Sequence, residues 1–243
     1  MYIAAFIIEL AGLFFLSRKV TDSIYLVSYL LTRSRTFGIW VLTILLFPGT
    51  VTHELAHLFS AGILGVPAGK LTLIPESFRG ENITMGSVSI AHTDPFRRYM
   101  IGLAPIGSGT VILTTLAYFF NPLILKIYDS VRTGGPVDSV NLIITLGIFY
   151  LLFSVSNAMF SSPEDVKGLT WFILVLGLIA VTIILISGIS VNLNNITVPP
   201  VIDRLFMLLS QAVGLVMAVN IFILAFFSLL SAIIQKILRV RVG

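Results

Sequence analysis

The chain has 243 residues, of which 57% are hydrophobic and 11% are charged. A soluble domain carries about 25% charged residues, so most of this chain is solvated by lipid and not by water. The net charge of +4 comes from basic residues scattered through short loops, which fits membrane flanks and gives no nucleic-acid footprint. The absence of cysteine excludes disulfides, thiolate metal sites and cysteine nucleophiles.

Taken in chain order, 1–16 is apolar except for Glu9 and ends at Ser17-Arg18-Lys19. It lacks the basic n-region and small-residue cleavage site of a signal peptide. It is short for a span, and 20–31 either extends it or lies along the interface. The second apolar segment, 37–64, contains Pro48-Gly49, a kink signal, followed by His53-Glu54-Leu55-Ala56-His57. Between 65 and 98 the composition turns to Gly, Pro and charge. There 70–74 and 83–90 carry β-branched residues in partial alternation, which predicts two short strands or a hairpin. Further spans are expected at 99–125, 138–160, 169–190 and 205–234. The expected fold is an all-α polytopic membrane protein of about six helices. It forms one integral domain over 1–243. Six alternating spans put eight basic residues on one side and seven on the other, so the positive-inside rule selects no orientation. The expected location is a multi-pass position in the cell membrane.

The chemistry lies in the His-Glu-x-x-His sequence. His53 and His57 are four residues apart, so on a helix both imidazoles share one face and reach one ion, with Zn2+ the expected metal. Glu54 is the general base in this pattern, taking a proton from a water that the ion has acidified. Each ionisable group in an apolar span costs about 3 kcal/mol, and a shared metal ion gives three of them within five residues a reason to persist. A hydrogen-bonded His-Glu pair is the structural alternative.

A catalytic zinc site takes a third protein ligand, and the soluble pattern with a third histidine soon after is absent. Candidates are His92, Glu76, Glu81, Asp94, Glu164 and Asp165. His92 is expected to be solvated beside Asp94, and Glu76 and Glu81 flank Arg79 on a polar stretch. Asp165 lies where the fourth span ends, after Pro163. A carboxylate there either turns back toward the bundle or caps the next helix, for which Ser161-Ser162-Pro163-Glu164 is suited.

A His-Glu-x-x-His within an apolar segment, with an Asp at the end of a later one, resembles the site-2 protease family of intramembrane zinc metalloproteases. In that family an Asn precedes the ligand Asp by eight residues with prolines between, as Asn157 precedes Asp165 here with Pro163 between. Gly102-Leu103-Ala104-Pro105 partly echoes a Gly-Pro found in the intervening span. Val166 stands where the family usually has Gly. The resemblance covers roughly 37–170 and implies a three-helix catalytic core there, with outer helices near 1–36 and 169–238. It implies that Asp165 is the third zinc ligand, with Glu164 its adjacent competitor, and that Asn157 faces the substrate or the transition state. Asn157, with Ser161 or Ser162, is then expected to hydrogen-bond the carbonyl oxygen as charge develops. The implied activity is hydrolysis of peptide bonds in or near the membrane segments of a single-span or signal-peptide-like substrate. The alternatives are a non-proteolytic zinc-binding membrane protein with such a core and an ion-coupled transporter, although no paired halves are visible.

Overall fold

The computed structural model describes residues 2–74, 86–160 and 199–238, together with Leu178 and Thr182. Its elements are α1 (Tyr2–Thr32), α2 (Arg35–Ile63), β1 (Ala68–Thr72), β2 (Ser87–Ile90), α3 (Pro95–Arg132), α4 (Ser139–Ala158) and α5 (Pro200–Leu238). Four of these helices, α2 to α5, are long and apolar enough to cross a membrane. The mostly helical membrane fold read from the sequence therefore holds for the described residues. The expected span at 169–190 lies outside them, apart from Leu178 and Thr182.

The stretch 20–31 extends the first apolar segment, so that α1 is one continuous helix. Arg18, Lys19 and Asp22 thus lie on a helix and not in a loop. Within it the Arg18 guanidinium covers the Phe14 ring at 4.4 Å, a contact available to a neighbour four residues away. α1 and α5 run parallel: Glu9 lies by Gly214, Gly12 by Met217, and Val27 and Leu30 pack with Ile234.

The hairpin expectation is met by two antiparallel strands pairing Ala68 with Ile90, Leu71 with Val88 and Thr72 with Ser87. β1 lies two residues earlier than the 70–74 run, and β2 forms the end of the 83–90 run, of which 83–85 lie outside the described residues. Val66, Ala68 and Ile90 pack with Ala61 and Ile101, which fastens the base of the hairpin to the end of α2 and the start of α3.

Pro48 leaves α2 unbroken as a helix but removes the amide that would bond to the Ile44 carbonyl. α4 supplies the substitute. Tyr150 donates its hydroxyl to the Ile44 carbonyl at 3.2 Å, and Ser154 Oγ accepts the Gly49 N–H at 2.9 Å. Since 44 meets 150 and 49 meets 154, α2 and α4 run parallel. The approach is close enough that a Cβ on Gly49 would collide with the Ser154 carbonyl oxygen and lie 2.7 Å from Ala158 Cβ. Only glycine admits this contact.

Gly49→Ala is therefore expected to lower stability by about 1–3 kcal/mol, read as a fall in the thermal midpoint of the protein in detergent. Gly107→Ala, where an added Cβ meets nothing within 4 Å, is expected to leave the midpoint unchanged.

Candidate metal centre

α2 carries His53, Glu54 and His57 in its last three turns, and all three are buried. They follow Gly49, the contact with α4, by four, five and eight residues, or from about one to just over two helical turns. The four-residue spacing places the two imidazoles edge to face, with ring centroids 4.8 Å apart and planes at 83°. Their Nε2 atoms lie 3.1 Å from each other.

The start of α3 fixes the proton on His57. Asp94 caps that helix, accepting the Arg97 N–H at 3.0 Å, with the Arg97 guanidinium 3.3 Å from its carboxylate. The Arg97 backbone N–H, and then its charge, hold the Asp94 carboxyl below the usual carboxylate range. The cap is therefore complete at neutral pH and is lost as the pH falls through the titration of that carboxyl. Within the second turn of α3 the Ile101 carbonyl reaches His57 Nδ1 at 2.9 Å. A carbonyl only accepts, so Nδ1 carries the proton, and in the neutral ring the Nε2 lone pair faces His53.

This geometry suits a shared cation. Two nitrogens each about 2.05 Å from a tetrahedral zinc ion stand about 3.3 Å apart. The 3.1 Å between the Nε2 atoms is close to that spacing. The His57–Ile101 bond is the outer hydrogen bond that a ligating imidazole usually makes through its other nitrogen. Among the described residues no group of three His, Cys, Asp or Glu side chains forms a cage. Asp165, Glu164, Ser161 and Ser162, as well as Glu76 and Glu81, lie outside the described residues. His92 is exposed in the loop before α3, in keeping with the solvated role read for it.

Two neighbours of the site were not legible beforehand. Gly86, at the entry to β2, lies directly over α2: a Cβ there would stand 2.9 Å from Thr50 Cγ2 and 3.0 Å from both Glu54 Cγ and Oε1. The hairpin backbone thus covers the general-base candidate. The other neighbour is Asn220 on α5, which is fully buried and bonded to Asn157.

Asn157 lies on α4 between Ser154 and Ala158, the residues that meet Gly49, and so at the height of Gly49, one turn before His53. Its Nδ2 hydrogens are taken by the Phe153 carbonyl at 2.8 Å and by Asn220 Oδ1 at 2.6 Å. The donor end of the Asn157 amide, expected to face a developing oxyanion, is thus engaged by two acceptors in this structure. Its Oδ1 is buried and has no partner among the described residues.

Gly86→Val should press a branched side chain onto Glu54. The expected outcome is a loss of about tenfold or more in any hydrolytic turnover at unchanged zinc content, measured on purified protein by metal analysis and initial rates. No family model, no curated protein and no solved structure matches this chain, so its site is interpreted from its own geometry.

Proposed function

We propose that this chain is an intramembrane zinc metalloprotease of the site-2 protease type, cutting peptide bonds in or near the transmembrane segments of membrane-protein substrates. The observation that carries the reading is the His53–His57 pair with its Nε2 atoms 3.1 Å apart and the His57 proton drawn to the Ile101 carbonyl. His57 then offers its Nε2 lone pair to an ion, and His53 Nε2, the donor between the two rings, does the same once a metal displaces its proton. A structural zinc site has no use for an adjacent carboxylate that binds no metal, and Glu54 supplies one.

Zinc bound here supplies a Lewis acid that polarises the scissile carbonyl and makes water a nucleophile near neutral pH. The remaining work belongs to the chain. His53 and His57 hold the ion, and Asp165 completes the ligand set in the manner the family resemblance implies. The Glu54 carboxylate takes the proton from the attacking water and delivers it to the leaving amine nitrogen. Burial of the site in apolar helices keeps bulk water away from it and strengthens each charge interaction.

A peptide bond in a membrane helix is protected by its own hydrogen bonds and by the scarcity of water. The hairpin answers the first of these. β1 and β2 form a two-stranded sheet whose entry at Gly86 borders Glu54, and an exposed strand edge binds an unwound segment through main-chain hydrogen bonds. The substrate would then meet the general base as an extended chain and not as a helix.

Glu54→Gln should keep zinc and abolish cleavage of a reconstituted single-span substrate, whereas Asp165→Ala should lose zinc and activity together. Metal analysis and a gel-based cleavage assay on the same preparations check both. Full zinc with no cleavage by the wild type toward any transmembrane substrate would favour the non-proteolytic zinc protein.

A further inference from the structure

We propose that Pro105 is a positioning residue: by withholding a main-chain N–H from α3 it leaves the Ile101 carbonyl open to the His57 Nδ1 proton, and so commits the His57 Nε2 lone pair to the metal. The proposal deepens the zinc-site reading and rests on it.

In an α-helix the carbonyl of residue 101 accepts the N–H of residue 105. In α3 that residue is a proline, set inside the helix and well past its first turn. Proline brings no N–H, and its ring presses on the carbonyl four residues earlier and tilts it out of the helical ladder. Ile101 and Pro105 are both buried, so water does not replace the lost donor. An unanswered carbonyl in such a place is costly. The donor that reaches it is His57 Nδ1 at 2.9 Å, which comes from the neighbouring helix and from 44 residues earlier in the chain. The Ile101 side chain packs with Ala61 and Val66 beyond the histidines, which holds this turn of α3 against α2.

Pro48 makes the same substitution on α2, where the Tyr150 hydroxyl answers the Ile44 carbonyl at 3.2 Å. What differs is the donor. A tyrosine hydroxyl bound in this way only joins two helices. An imidazole has a second nitrogen, and the bond made at one ring atom decides the state of the other. An acceptor at Nδ1 selects the neutral ring with its proton there, because the other tautomer would set a lone pair against an oxygen. Nε2 is then the unprotonated nitrogen, and it stands 3.1 Å from His53 Nε2.

An N–H restored at position 105 would draw the Ile101 carbonyl back into the α3 ladder. The His57 bond would weaken, and rings with the proton on Nε2 would become populated. Such a ring has to move that proton before Nε2 can bind a metal. Pro105 touches neither metal nor substrate in this account and acts only through Ile101 and His57.

The test compares three forms of the full-length protein in detergent. The wild type has a ring at position 105 and no N–H. Pro105→Ala has an N–H and no ring, and alanine, the best helix former, retains α3. The third form carries lactic acid, the hydroxy analogue of alanine, inserted at 105 by nonsense suppression, and has neither ring nor N–H. Zn2+ alone is the probe, titrated in competition with a chelating dye. The metal-free proteins, labelled with 15N-histidine, show by NMR which nitrogen of His57 carries the proton, its signals being assigned by their loss in His57→Ala. Pro105→Ala should raise the zinc Kd about tenfold and add a His57 species protonated on Nε2. The lactic acid form should return the Kd to within about threefold of the wild type and the proton to Nδ1. Pro122→Ala, in the same helix at an exposed position, should leave both readouts unchanged. A proline needed only for its ring or its kink would leave the lactic acid form as weak as Pro105→Ala, and that result overturns the proposal. So does a Pro105→Ala protein with the wild-type Kd and the proton wholly on Nδ1. A wild type that takes up no zinc instead contradicts the zinc-site reading, and the proposal falls with it.

Discussion

Pro48 removes one amide from the helix that carries the candidate metal ligands and leaves the Ile44 carbonyl without its helical donor. In lipid that group has no water to turn to, so a neighbouring helix must answer it. α4 does so with Tyr150, and at the next turn Ser154 takes the Gly49 N–H. These two bonds, together with the absence of a side chain at Gly49, set the distance and the register between α2 and α4. His53 follows Gly49 by one turn and Asn157 follows Ser154 by less than one. The register between α4 and the helix that carries the histidine pair is thus set by one missing main-chain donor several residues away.

The rest of the site is assembled from groups whose hydrogen-bonding capacity leaves little choice. The Ile101 carbonyl dictates the His57 tautomer, and the tautomer turns the Nε2 lone pair toward His53. The Phe153 and Val216 carbonyls do the same for Asn157 and Asn220. In each case a backbone acceptor supplied by one helix orients a polar side chain in an apolar surrounding, where a wrong orientation would leave two oxygens opposed. The hairpin completes the enclosure, with Gly86 in contact distance of Glu54 because no side chain intervenes.

The sequence was most legible where one interaction is local. The His53–Glu54–His57 pattern needs only helical periodicity, and the structure brings the two imidazoles together as that periodicity requires. The long apolar helices and the hairpin were legible from composition and alternation for the same reason. What could not be read depends on which helix faces which. Pro48-Gly49 signalled a kink, but not that Tyr150 and Ser154 would fill it and hold the helix together. Asn220 in an apolar stretch was a polar residue in need of a partner, yet nothing local names Asn157. The charges at Arg18 and Lys19 suggested the end of a span, whereas packing against α2 and α5 carries the helix through them to Thr32. Nor does anything local show that the Asn157 NH2 is engaged by a residue 63 positions away in the chain.

The central claim is that His53 and His57 bind one zinc ion through their Nε2 atoms. Zinc K-edge X-ray absorption on the purified protein in nanodiscs tests it directly. The account predicts stoichiometric zinc with imidazole nitrogens at about 2.0–2.1 Å, with the imidazole signature reduced in His57→Ala at whatever metal remains bound. A protein that purifies without zinc and takes none up, or a zinc shell identical in the wild type and in His57→Ala, would contradict it.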